Sequence, residues 1–81
     1  MKLLYFASLR EGLGVASEEV KLPATSVKGL MATLAARGGV WQEQFDGCKL
    51  IRAAVNQVLV AEDAPIKADD EVAFFPPVTG G

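Results

Sequence analysis

One clear helical stretch, ATSVKGLMATLAARGG (residues 24–39), stands between short β-rich runs, and this limits the fold more than any other feature of the chain. Thr25 or Ser26 offers an N-cap oxygen. Val27, Leu30, Met31 and Leu34 recur at helical spacing, and Gly38-Gly39 ends the period. Gly29 inside the helix costs roughly 1 kcal/mol against Ala, which a close backbone contact with a sheet would explain. Upstream, residues 2–8 (KLLYFAS) read as a strand with Leu3, Tyr5 and Ala7 on one face and Leu4 and Phe6 on the other. LREGLGVAS then reads as a turn, with Gly12 and Gly14 free to take positive φ. Residues 17–23 form a second strand, Val20 and Leu22 inward, stopped by Pro23. Downstream, residues 40–50 read as a short helical turn that puts Trp41 and Phe45, four apart, on one face. Residues 51–57 are a third strand, and a short extended segment begins at Val58. APIKADDEV reads as a turn. Residues 71–75 (EVAFF) are the last strand, Val72 and Phe74 on one face, Ala73 and Phe75 on the other, ended by Pro76-Pro77.

This order defines an α+β chain. A hairpin followed by a helix that crosses one mixed sheet resembles the β-grasp arrangement of ubiquitin; order alone leaves it one of a few α+β options. At 81 residues the chain is one domain, large enough for a modest core without disulfide or metal staples. Residues 1–77 are expected to form the β-grasp domain and 78–81 a flexible C-terminal tail. One helical layer on one sheet leaves the far sheet face free, and Phe6 and Phe75 are expected there.

Side-chain chemistry is sparse. There is no histidine, hence no common general base or metal ligand of that type, and the single Cys48 cannot form an intramolecular disulfide. No phosphate-binding glycine motif follows a strand. Asp69-Asp70-Glu71 reads as a solvated turn, because three adjacent carboxylates cannot all face one ion. No metal site and no bound cofactor are expected. Ten acidic against eight basic residues, without a basic run, argue against a nucleic-acid partner. No stretch has the length of a transmembrane helix, the N-terminal apolar run is too short for a signal peptide, and the lone cysteine suits a reducing cytosol, so a cytoplasmic protein without a membrane partner is expected. If the chain takes part in a reaction, the reacting group is not a side chain.

The last residues, FFPPVTGG, offer another group. Gly80 and Gly81 lack Cβ atoms and can thread a narrow tunnel, presenting a terminal carboxylate to another protein's active site. Pro76 and Pro77 stiffen the base of the thread. Val78, Thr79, Gly80 and Gly81 extend about 13 Å at full stretch. Joined to AMP, the carboxylate becomes an electrophile that sulfide or a persulfide converts to a thiocarboxylate. A terminal Gly-Gly is also what a frayed end or a cloning remnant looks like; its place after FFPPV favours a function.

The opening KLLYFASLRE, the length and the ending DEVAFFPPVTGG together resemble the small, sulfur-carrying subunit family of molybdopterin synthase. The resemblance implies that Gly81 carries the thiocarboxylate through a transient acyl-AMP, with Gly80 threading the tunnel. It implies an ATP-dependent adenylating enzyme and a large synthase subunit as partners, in a heterotetramer that donates sulfur to cyclic pyranopterin monophosphate. It places Phe6, Leu59 and Phe75 on a hydrophobic docking face with Arg10 at its edge, and Pro76, Pro77, Val78 and Thr79 along the tail. Such a subunit is not catalytic alone. Cys48 is read as a structural or incidental thiol. A thiamine-pathway sulfur carrier, a ubiquitin-like protein modifier and a passive interaction domain are the competing readings.

Overall fold

The computed structural model describes residues 1–46 and 50–77. Strand β1 (Lys2–Tyr5) is second from one edge of a five-stranded sheet of order β2-β1-β7-β4-β5, which has β7 in the middle. It pairs antiparallel with β2 (Ser17–Glu19) and parallel with β7 (Glu71–Phe75); β4 (Arg52–Val55) runs antiparallel to β7, and β5 (Val58–Val60) closes the far edge. Two short strands, β3 (Thr25–Ser26) and β6 (Pro65–Ile66), pair outside this sheet. Three helices are found among the described residues, α1 (Ala7–Leu13), α2 (Val27–Ala35) and α3 (Gly39–Phe45). A mixed sheet gripping a helix is the expected ubiquitin-like β-grasp.

The core forms on one sheet face. Leu3 and Tyr5 of β1, Val72 and Phe74 of β7 and Ala53 of β4 alternate inward and meet Leu9 and Leu13 of α1, Val27, Leu30 and Leu34 of α2, and Phe45 of α3. The centre is aromatic. Tyr5 stacks on Phe74 with ring centroids 6.3 Å apart, and Phe45 meets Phe74 edge-on at 5.3 Å. Trp41 and Phe45 share one face of α3 and stack at 6.3 Å, as their spacing predicts.

Several boundaries differ from the sequence reading, each for a local reason. The first strand ends at Tyr5 and not residue 8, because the chain turns at Ala7 (φ 53°) into α1, which the sequence reading took for a turn. Leu9 and Leu13, one helical turn apart, bury the inner side of this helix. Gly12 therefore lies within α1, whereas Gly14 does take positive φ (80°) and closes the helix, its N–H donating to the Arg10 carbonyl at 2.9 Å. The second strand pairs only over Ser17–Glu19; Val20 and Leu22 still pack against the core. Helix α2 stops at Ala35, and Gly38, with φ 77°, provides the bend into α3. Ser26 is the cap, its hydroxyl accepting from the Gly29 N–H at 3.0 Å. A side chain at Gly29 would collide with the Thr25 and Ser26 hydroxyls, so this glycine makes room for the helix's own cap and not for the sheet. The APIKADDEV segment contains β6, whose pairing with β3 is non-local.

Two polar clusters tie the layers together. Asp70 accepts from the Lys67 N–H (2.8 Å) and the Asn56 side-chain amide (3.1 Å), while Asn56 Oδ1 accepts from the Glu71 N–H (3.1 Å). The acidic run is thus a turn that fixes where β7 begins. At the opposite edge the buried Tyr5 hydroxyl donates to Glu18 at 3.0 Å, Arg37 donates two bonds to the same carboxylate (2.9 and 3.0 Å), and its guanidinium lies 4.4 Å from the centre of the Trp41 ring. The Arg37 hydrogen bonds, opposed by partial burial and assisted by the Tyr5 hydroxyl, hold the Glu18 carboxyl below its ordinary range. Glu18→Ala leaves the Tyr5 hydroxyl buried without an acceptor, and a loss of about 1–3 kcal/mol is expected by denaturant titration. A depressed folded-state pKa contributes stability above the unfolded value of 4.5, and this is lost as pH falls through the folded value. The parent therefore loses a component of stability below that pH that Glu18→Gln lacks.

Candidate functional site

Alternation along β7 decides the site. Phe74 is fully buried in the core; Phe75, next to it, is directed to the opposite sheet face and is half-buried. Register then assembles that face. Leu4 opposes Ala73, Ala73 opposes Ala54, and Ala54 opposes Leu59, so four apolar residues lie in one line across β1, β7, β4 and β5. The two alanines keep the middle low, and Leu59 at the edge is 62% exposed. One step nearer the end of β7, Phe75 is flanked by Phe6 and Arg52. Phe6 stays extended (φ −124°, ψ 157°), and its N–H donates to the Phe74 carbonyl at 3.1 Å. It is 47% exposed beside the half-buried Phe75.

The chain leaves the sheet here. Pro76 lacks the N–H that would continue the ladder, and Pro76 and Pro77 are half-buried at the point of departure. Arg10 is exposed on α1 one turn beyond Phe6, whose carbonyl accepts from the Arg10 N–H at 3.4 Å. Thus Phe6, Phe75 and Leu59, singled out from sequence, share one sheet face, and Arg10 stands beside it. Alternation had already put Leu4 with Phe6 and Ala73 with Phe75, although neither was named as a contact residue; Ala54 and Arg52 were missed, and they need the strand register. Val78, Thr79, Gly80, Gly81 and Cys48 lie outside the described residues. Among the described residues, no three or more Cys, Asp or Glu gather into a candidate metal site, and no helix is long and apolar enough to cross a membrane. The face has no catalytic side-chain constellation. What it offers is an apolar surface that ends where β7 gives way to Pro76-Pro77.

A β-grasp with a bare sheet face that feeds a C-terminal segment defines a class of carrier and modifier proteins, and comparison with known proteins narrows it. The chain belongs to the ThiS family, which matches residues 3–81. It is 46% identical over 81 residues to the molybdopterin synthase sulfur carrier subunit of Escherichia coli, covering 100% of this chain and 99% of that one. Among solved structures it is similar to a putative molybdopterin converting factor subunit 1 of Pyrococcus furiosus (32% identity, TM-score 0.76, 95% of each chain). It is also similar to the small archaeal modifier protein 1 of Haloferax volcanii (28% identity, TM-score 0.77, 100% of this chain and 98% of that one).

Proposed function

We propose that the chain is the sulfur-carrier subunit of molybdopterin synthase, acting in molybdenum cofactor biosynthesis. The observation that carries this reading is the full-length relationship, running through Gly81, to the Escherichia coli carrier subunit. The docking face supplies the physical means, since an apolar surface at the root of a slender tail lets a partner grip the domain while the tail enters its site.

The cycle uses the main-chain terminus. On a separate adenylating enzyme the Gly81 carboxylate attacks the α-phosphorus of ATP; pyrophosphate leaves and an acyl-adenylate forms. Sulfide, or the terminal sulfur of a persulfide, attacks the acyl carbon and AMP leaves. With a persulfide donor, a thiol then reduces the intervening S–S bond. The resulting thiocarboxylate sulfur attacks cyclic pyranopterin monophosphate held by the large subunit. Water cleaves the acyl–sulfur bond, leaving sulfur on the pterin and returning the carboxylate. Two such donations build the dithiolene of molybdopterin. In this reading Phe6, Leu59 and Phe75 dock the large subunit with Arg10 at the edge. Pro76, Pro77, Val78 and Thr79 guide the tail, and Gly80 lets it pass a narrow opening. The assembly is a cytoplasmic heterotetramer, and the carrier holds no resident cofactor.

Reconstitution tests this reading. Thiocarboxylated protein, the large subunit and the precursor pterin are expected to yield one molybdopterin for every two thiocarboxylates consumed; no product would reject it. Cys48→Ser is expected to retain the parent rate in that assay, because the transferred sulfur resides on the terminus. Complete loss in a folded Cys48→Ser protein would move the chemistry to the thiol. The likeness to an archaeal modifier keeps a second reading in view, conjugation to protein lysines. It requires isopeptide adducts on many proteins of the host, which a carrier does not form.

A further inference from the structure

The docking face carries one charge at the point where the tail begins, and nothing in the described fold uses it. Arg52 opposes Phe75 in the antiparallel β4–β7 register, and alternation puts it with Ala54 on the bare face, since Ala53 between them is buried. The other charged residues of this face, Lys2 flanked by Glu19 and Glu71, lie at the opposite end of the strands, where opposite charges already neighbour one another. Arg52 is exposed, and no hydrogen bond or ion pair engages its side chain among the described residues. Around it the face offers Phe75, Ala54, Ala73 and Leu59, none of which can accept a hydrogen bond through its side chain.

We propose that Arg52 is a specificity-determining contact, pairing with a carboxylate on the large subunit at the rim of the opening that admits the tail. This rests on the function proposed above. Neighbouring positions across the ladder put the Arg52 side chain beside the Phe75 ring. A partner that covers Phe75 therefore borders Arg52, and a guanidinium enclosed without an anion is strongly disfavoured. Its planar fork fits a carboxylate in two parallel hydrogen bonds. A nucleotide phosphate is the wrong anion on distance. In the proposed cycle phosphate chemistry takes place at the Gly81 carboxylate, six residues along the chain from Phe75, the ladder neighbour of Arg52, and six residues can span about 20 Å at full stretch. Arg52 thus reads the partner's surface and not the reacting group.

The test titrates the parent, Arg52→Ala, Arg52→Lys, Arg52→Glu and Lys21→Glu with the large subunit by calorimetry, at low and at high salt. Lys21 follows β2 at the end of the sheet remote from the tail, so Lys21→Glu changes net charge as Arg52→Glu does without touching the face. Arg52→Ala is expected to weaken binding about ten-fold at low salt and to flatten its salt dependence. Arg52→Glu is expected to weaken it further, Arg52→Lys to restore most of the affinity, and Lys21→Glu to stay near the parent. Melting temperatures should be unchanged, because Arg52 makes no contact that folding depends on. Equal effects of Arg52→Glu and Lys21→Glu, or an unchanged affinity of Arg52→Ala for the large subunit at low salt, overturn the inference while the carrier function stands. Failure of the parent itself to bind the large subunit overturns both.

Discussion

Deleting Gly81 is expected to leave the fold as stable as the parent and to abolish sulfur transfer. The two halves have separate causes. Among the described residues the buried core runs from Leu3 to Phe74, and a glycine has no side chain to add to it. In the proposed cycle, in contrast, the reacting carbon is the carbonyl of the terminal residue. Without Gly81 the new terminus still bears a carboxylate, on Gly80, but it falls short by about one residue, some 3.3–3.6 Å. Acyl transfer requires reacting atoms at about 3–3.5 Å, and even a misplacement of about 1 Å can cost 10²-fold in rate. A loss of at least that size is expected in both adenylation and pterin sulfuration, with an unchanged thermal melt. A shortened protein that makes molybdopterin at the parent rate would place the chemistry elsewhere.

The second large effect separates two adjacent phenylalanines. Phe74 is fully buried between Tyr5 and Phe45. Phe74→Ala is expected to cost about 3–5 kcal/mol, the range for a buried aromatic truncated in a packed core. For a small domain with a total stability of about 5–15 kcal/mol, that removes much of the margin. Phe75, directed to the other face, contributes far less to the isolated fold. Phe75→Ala is expected to keep most of the melting temperature and to weaken binding to the large subunit ten-fold or more, as loss of about 1.4 kcal/mol or more at an aromatic anchor requires. Melts of the free variants beside calorimetric titrations distinguish the two. If Phe75→Ala melts as low as Phe74→Ala and binds normally once folded, Phe75 is a core residue and the docking face is misassigned.

How much of this was legible beforehand follows from which interactions are local. Period and capping gave α2, with Thr25 or Ser26 as its cap and Val27, Leu30, Met31 and Leu34 as its apolar side; the structure uses Ser26 and buries all of that side but the half-buried Met31. Alternation in EVAFF gave the opposite directions of Phe74 and Phe75, on which the site depends. Helix α1 was missed because its glycines signal a turn, and its stability comes from burying Leu9 and Leu13 against elements distant in sequence. The β3–β6 ladder was missed for the same reason; Thr25 meets Ile66 across forty-one positions, and nothing in either dipeptide announces the other. Arg52 belongs to this group. On its own it is one more surface charge, and only the register that sets it opposite Phe75 gives it a neighbourhood. Gly29 shows a milder limit, since its presence in the helix was noticed but its neighbours, the hydroxyls of the cap, needed coordinates.

The central claim is that sulfur is carried on the terminal carbonyl, and intact mass measures this directly. The protein is incubated with the adenylating enzyme, ATP and a sulfur source, then analysed whole and after proteolysis. Replacement of one oxygen by sulfur adds about 16 Da, and the account requires this gain on the peptide that ends in Gly81, dependent on ATP. A persulfide on Cys48 would instead add about 32 Da to the peptide containing that residue. That result, or an unmodified Gly81 peptide under conditions that consume ATP and sulfide, would contradict the account.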